Sequence, residues 1–297
     1  MQEPGPEAES VYLKIIQLLL KNGADANVEG GDHGTALQVA SSRGFIRIVQ
    51  LLLERGADIV GGNHGTALQA ASASGHLETD KLLFRKGARV NIAGVLHSTA
   101  LKAASAEGYS TKSQLREPPA LGLYPEIVRL LLSNGANVDD EEGLYGTALQ
   151  AACAIGCLKI AELLLENGAD VDSEGGVFGT ALQAASAGGR TADTGPLYRS
   201  EIVLLLLEGG ADVNAERVCY GTALQVASAR GFIDLTQLLL DGWGADPDIA
   251  GGKFGTALRA AAARGYSEIV TLLQERGAVG LQASSFKSLT FKWTEAK

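Results

Sequence analysis

Three histidines, His33, His64 and His97, stand in one equivalent place of a recurring motif, just ahead of Gly-Thr or Ser-Thr. Evenly spaced imidazoles are potential metal ligands. If the motif stacks, successive rungs lie about 8–10 Å apart, one helix-packing distance. A Zn–N bond is only about 2 Å, so neighbouring rungs cannot share an ion. No cysteine or glutamate completes a ligand set at that spacing, and no metal is expected; the fourth histidine, His76, stands off the ladder. A second candidate is Gly-Gly-x-x-Gly-Thr, as at Gly175-Gly176-Val177-Phe178-Gly179-Thr180. It looks like a phosphate-cradling loop, but a P-loop needs a lysine just before its Ser/Thr. No copy has one, so no nucleotide and no other cofactor is expected. The third candidate is the thiol pair Cys153 and Cys157, four apart across Gly156, with Cys219 elsewhere. Cys153 takes the place of Ser41, Ser72 and Ser186, which marks it as a small packing residue. The serines are repeat positions and the acids do not form opposed pairs, so no catalytic constellation emerges and no enzyme is expected.

These candidates all sit on one repeating frame. Gly-Thr-Ala-Leu starts at Gly34, Gly65, Gly146, Gly179, Gly221 and Gly255, with Ser98 replacing the glycine in a seventh copy. The threonines at 35, 66, 99, 147, 180, 222 and 256 step by 31, 33, 48, 33, 42 and 34 residues. A period near 33 signals a stacked array of one supersecondary unit. The threonine hydroxyl before an alanine-rich run predicts a helix start. Gly44, Gly75, Gly108, Gly156, Gly189, Gly231 and Gly265 are the predicted stops of this short first helix. A second helix follows with an Ile-Val-x-Leu-Leu-Leu core, as in Ile48 to Leu53, and ends at Gly56, Gly87, Gly135, Gly168, Gly210 and Gly277. Alanine on one helix permits close approach and leucine on the other fills the layer behind. One such pair cannot cover its own apolar face, so neighbours must stack.

The pattern Thr-Ala-Leu-Gln-Ala-Ala…Gly-x-x-Glu-Ile-Val-x-Leu-Leu-Leu-x-x-Gly-Ala-Asp-Val-Asn resembles the ankyrin repeat over about residues 11 to 280. The resemblance implies an all-α solenoid of about seven helix-turn-helix repeats with β-turn fingers, plus an N-terminal half-repeat. The family's Thr-Pro-Leu-His becomes Thr-Ala-Leu-Gln, with Gln38, Gln69, Gln150, Gln183 and Gln225, and Lys102 and Arg259 in the equivalent places. The family's proline pre-sets the first turn and its histidine ties adjacent repeats. Glutamine can still bridge, while alanine pre-sets nothing. The Gly-Gly-x-aromatic-Gly-Thr-Ala-Leu-Gln variant is similar to ankyrin arrays of filamentous fungi.

The resemblance also implies a non-catalytic scaffold that binds a protein on the concave surface of finger tips and first helices. In the second half of the chain the histidine place becomes Tyr145, Phe178, Tyr220 and Phe254. Aromatic side chains are favoured as binding anchors; the alternative is that they pack under the finger turns. Arg43, Glu107, Ile155, Arg230 and Arg264 vary on the first-helix face, and Arg230, Lys253, Arg259 and Arg264 make the C-terminal end locally positive. Tyr145, Phe178, Tyr220, Phe254, Arg230 and Arg264 are the expected partner-binding residues. The role is expected to be that of a transcriptional co-regulator acting through a transcription factor, or the C-terminal sensor portion of a longer nucleotide-switch signalling protein.

Composition narrows the classes further. Glycine, 38 of 297 residues, is roughly twice its usual share, which the helix ends and finger turns explain. A net charge of −9 and a pI near 5.0 disfavour direct nucleic-acid binding. Acids gather in the fingers, at Asp139 to Glu142, Glu174 and Glu216, as a solvated edge. Three cysteines suit a reducing compartment. With no apolar leader and no run of about 18 apolar residues, a monomer in cytoplasm or nucleus, away from membranes, is expected.

The pattern breaks in four places. Insertions at 109–123 and 190–198 separate the helices of their repeats, with the proline and polar content of surface loops. Residues 1–10 are expected to be disordered or insertion-like ahead of the array, 11–283. Val11-Tyr12-Leu13-Lys14-Ile15-Ile16 enters a second helix with no first helix before it, as if a longer array had been entered midway. The last finger is lost, and a basic, aromatic tail follows at 284–297, with Phe286, Leu289, Phe291 and Trp293. A cap over the last repeat, a docking peptide and disorder are its alternatives.

Overall fold

The computed structural model describes residues 6–30, 34–61, 65–94, 99–106, 123–142, 146–188, 196–216 and 221–279. Seven short helices form one layer: α2 (Ala36–Ser42), α4 (Ala67–Ala73), α6 (Ala100–Ser105), α8 (Ala148–Ile155), α10 (Ala181–Ala187), α12 (Ala223–Arg230) and α14 (Ala257–Arg264). Behind them lie α1 (Pro6–Lys21), α3 (Ile46–Glu54), α5 (Leu77–Arg85), α7 (Leu123–Ser133), α9 (Leu158–Glu166), α11 (Pro196–Glu208), α13 (Ile233–Gln237) and α15 (Ser267–Glu275). Each short helix packs on the long helix that follows it, and on the short helices before and after it. The described residues form no extended strand, only Gly175–Gly179 and Gly251–Gly255 bridges within fingers. The all-α solenoid is therefore the observed architecture.

Threonine starts every short helix. The hydroxyls of Thr35, Thr66, Thr99, Thr147, Thr180, Thr222 and Thr256 accept from the N–H three residues on. In five of them the glutamine at that third position accepts in return from the threonine N–H, closing a capping box. Gly156, Gly231 and Gly265 end their helices left-handed, as expected. In α10 the positive φ falls on Gly188, one residue before the expected stop at Gly189, which lies outside the described residues, as does Gly108.

One apolar cluster runs the length of the stack from Leu13 to Leu273. Leu37, Leu68, Leu101, Leu149, Leu182, Leu224 and Leu258 are each at most 1 % exposed. Burying such a side chain contributes roughly 1.5–3 kcal/mol.

Three local features depart from the pattern read in sequence. The chain is helical from Pro6, five residues ahead of the expected start of the array, and α11 starts at Pro196, inside the expected 190–198 insertion. Proline suits the first helical position, where its missing N–H has no intrahelical partner to lose. The remainder of both insertions and the 284–297 tail lie outside the described residues. After α13 the chain makes a π-helical turn, Leu238–Gly242. Leu238 to Ala245 holds one residue more than the equivalent Leu51 to Ala57. The surplus is taken up within the helix: the Ala245 N–H reaches Leu239 at 3.0 Å, six residues back, where Ala57 reaches Leu52 at 2.9 Å, five back. Gly244, at φ 65°, then makes the stop that was missing from the sequence pattern.

Candidate interaction groove

The glutamines set the spacing of the fingers. Each Nε2 donates across to the next repeat: Gln38 to the Gly65 carbonyl at 2.5 Å, Gln69 to Ile92 at 2.6 Å, and Gln150 to Ser173 at 2.7 Å and Gly179 at 2.8 Å. Gln183 reaches Ala215 and Gly221, and Gln225 reaches Ile249 and Gly255. One buried amide thus caps its own helix and ties the following finger. Lys102 does this differently, with its ammonium buried against the Glu142 carbonyl and 3.1 Å from Asp140. Arg259 holds the equivalent place ahead of α15, and its side chain is exposed. A second ladder runs along the bases of the fingers. Asn27, Asn91, Asp139, Asp172, Asn214 and Asp248 each accept from a backbone N–H of the next repeat, at 2.7 to 3.1 Å. Of the acids read from the sequence as a solvated edge, Asp139 bridges repeats in this way and Asp140 lies against Lys102.

Fingers held this way approach closely. A Cβ on Gly146 would come within 2.9 Å of the Gly175 carbonyl carbon, so the stacked glycines are required by space as well as by φ. At the C-terminal end the finger before α10, the first helix α12 and the finger before α14 enclose a groove of about 990 Å³. Ala187, Val226 and Ala229 give it an apolar lining, with Val177 from one finger and Phe254 from another. Val177 is 44 % exposed, an apolar side chain presented to solvent on a rigid turn.

Three of the six expected partner-binding residues meet here: Phe254, Arg230 and Arg264 all line the groove. The Arg264 guanidinium carbon is 5.6 Å from the Phe254 ring centroid and the Lys253 ammonium 5.9 Å, both within cation–π range. Phe178 behaves differently: it is half-buried and packs against the core, as the structural alternative required, while its neighbours Val177 and Gly179 line the groove. Tyr145, Tyr220, His33, His64 and His97 lie outside the described residues. Lys253 and Glu174 complete the charged rim. Sequence reasoning placed Lys253 on the positive end but missed Val177, whose variation at a finger tip was its only signal.

The electrostatics of this end are positive. Arg199 lies with its guanidinium 3.8 Å from the Phe232 ring centroid, and its pKa is lowered by burial and then by neighbouring Arg230. Arg230 and Arg264 are exposed, and neither makes an ion pair among the described residues. Elsewhere, burial and then the adjacent Cys157 raise the Cys153 thiol pKa well above its usual range, which disfavours the reactive thiolate. Asp80 on α5 is fully buried, accepts only from Ser72 at 3.2 Å, and leaves Oδ2 without a partner. Burial pushes its pKa up to about 8 against the lowering effect of Ser72. Among the described residues no group of three His, Cys, Asp or Glu is placed to hold a metal, and no helix is long and apolar enough to cross a membrane.

A search of the curated proteins finds no match to this chain. A family model described as "Ankyrin repeats (3 copies)" matches residues 8–93, 120–217 and 197–282. These matches span most of the chain and both layers of helices, and on them and the capped, finger-linked helix pairs the chain belongs to the ankyrin-repeat family.

Proposed function

We propose that the chain docks a protein partner in the C-terminal groove, with Phe254 as apolar anchor and Arg230 and Arg264 as charged contacts. Ankyrin repeats indicate a protein–protein interaction scaffold, and such arrays are typically non-catalytic. The observation that carries the location is the meeting of Phe254, Arg230 and Arg264 around one apolar-lined groove. Tyr145, Phe178 and Tyr220 hold the place of Phe254 in the repeat sequence and are assigned as supporting contacts. The protein acts as a monomer in cytoplasm or nucleus, as a co-regulator that reaches genes through a transcription factor, in keeping with its net charge of −9.

A second reading is that of a sensor array within a longer nucleotide-switch signalling protein. It draws on α1, where Ile15, Leu18 and Leu19 are 49 %, 62 % and 53 % exposed although their equivalents Ile48, Leu51 and Leu52 are buried. That face matches the surface on which a further short helix stacks elsewhere in the array. The test is co-purification from the source organism of the tagged chain beside a copy with Tyr145, Phe178, Tyr220 and Phe254 changed to alanine. A partner retained by the native chain and lost by the folded variant supports the groove. Undiminished capture by the variant rejects it, and a transcription factor or a signalling protein in the captured fraction separates the two roles.

A further inference from the structure

The groove also carries a chemical signature, and the inference from it rests on the docking reading above. Among the described residues, three cations, Arg230, Lys253 and Arg264, line it against one acid, Glu174. The whole chain carries 34 acids against 25 lysines and arginines, so this balance is the reverse of the molecule's own. Among the described residues Arg230 and Arg264 are exposed without ion pairs. Their charge is therefore available to a ligand without first breaking an ion pair, and Arg264 keeps its place beside the Phe254 ring. Behind them, Arg199 is partly desolvated and further raises the local positive potential. Between the cations the described lining is mostly small or apolar, Ala187, Val226, Ala229, Val177 and the Phe254 ring, with Gln225 as a polar member.

We infer that the occupant is an extended acidic peptide segment that places an aliphatic or aromatic side chain against Val177 and Phe254 and its carboxylates against Arg230 and Arg264. Arginine suits such a ligand because its planar fork pairs with a carboxylate through two parallel hydrogen bonds. A nucleic acid would use the same cations but leave the apolar lining unfilled, and it would meet the repulsion of the acidic remainder of the array.

The test is selection of a random peptide library displayed on phage against the full chain, followed by fluorescence anisotropy with the selected peptides. The chains compared are native, Phe254→Ala, and Arg230→Glu with Arg264→Glu. Thermal melts of each establish that the variants are folded; the arginines are exposed, so their reversal leaves the core untouched. Expected are peptides rich in Asp and Glu around one large apolar residue. Their affinity falls by at least about tenfold on charge reversal and weakens with added salt. Neutral or basic peptides that lose affinity on Phe254→Ala but not on charge reversal overturn the acidic assignment and leave the groove standing. Peptides insensitive to both variants, or an empty selection, overturn the groove as well. A single-stranded oligonucleotide that displaces the selected peptide and binds more tightly overturns the peptide assignment.

Discussion

Asp80 stands where α3, α7, α9 and α11 carry Val49, Val128, Ala161 and Val203, and α13 carries Thr236. A buried carboxyl with one hydrogen bond is held protonated in the folded chain, at a pKa of about 8, against 3.8 as its ordinary value. Between those values the folded state keeps a proton that the unfolded state has released. The contribution is thus fully present below about pH 4 and is lost as pH rises through about 8. The melting temperature should therefore fall across that window and level off above it. Asp80→Asn should flatten the profile, and Asp80→Val should raise stability most at the alkaline end, by a few kcal/mol in order of magnitude. An unchanged slope in Asp80→Asn, read by melts across the pH series, would show that other groups set it. The break was legible as Glu-Thr-Asp-Lys in place of Arg-Ile-Val-Gln. Its burial was not, because that comes from packing α5 between α3 and α7.

Each short helix owes its position to a single glutamine as much as to its alanines. Gln150 accepts from the Thr147 N–H at 3.1 Å and donates to two carbonyls of the next finger. Gln150→Ala should cost about 1–3 kcal/mol, because it leaves buried partners unsatisfied. Arg259→Ala, at the exposed equivalent place, should cost almost nothing; chemical denaturation of both variants checks the contrast. The long helices offer a parallel comparison. Ile48 is 2 % exposed and its equivalent Ile15 is 49 % exposed. Ile48→Ala should cost about 2–5 kcal/mol, and Ile15→Ala well under half of that. Equal losses would mean that the α1 face is covered in solution. The helices and their caps were legible because threonine, glutamine and glycine act within one turn. The π-helical turn was not: a step of 34 residues shows one surplus residue without showing where the helix absorbs it.

At the scale of the whole molecule, the period in the sequence determined the stack, since helix pairs of one design have one way to bury their faces. The groove was legible only in part. Phe254, Arg230 and Arg264 are 34 residues apart or fewer and share equivalent or neighbouring repeat positions, so their convergence follows from stacking. Phe178 and Phe254 occupy the same place in the repeat, yet Phe178 rests on the core while Phe254 lines the groove beside Arg264. That difference depends on each finger's neighbours and not on the motif. The central claim is that partners dock on this groove and not on the second-helix layer. The most direct measurement places a photo-crosslinking amino acid at position 254 in one chain and at position 129 on α7 in another, with irradiation in the source cells. The account predicts a discrete protein adduct at 254 and none at 129. An adduct at 129 with none at 254 would contradict it.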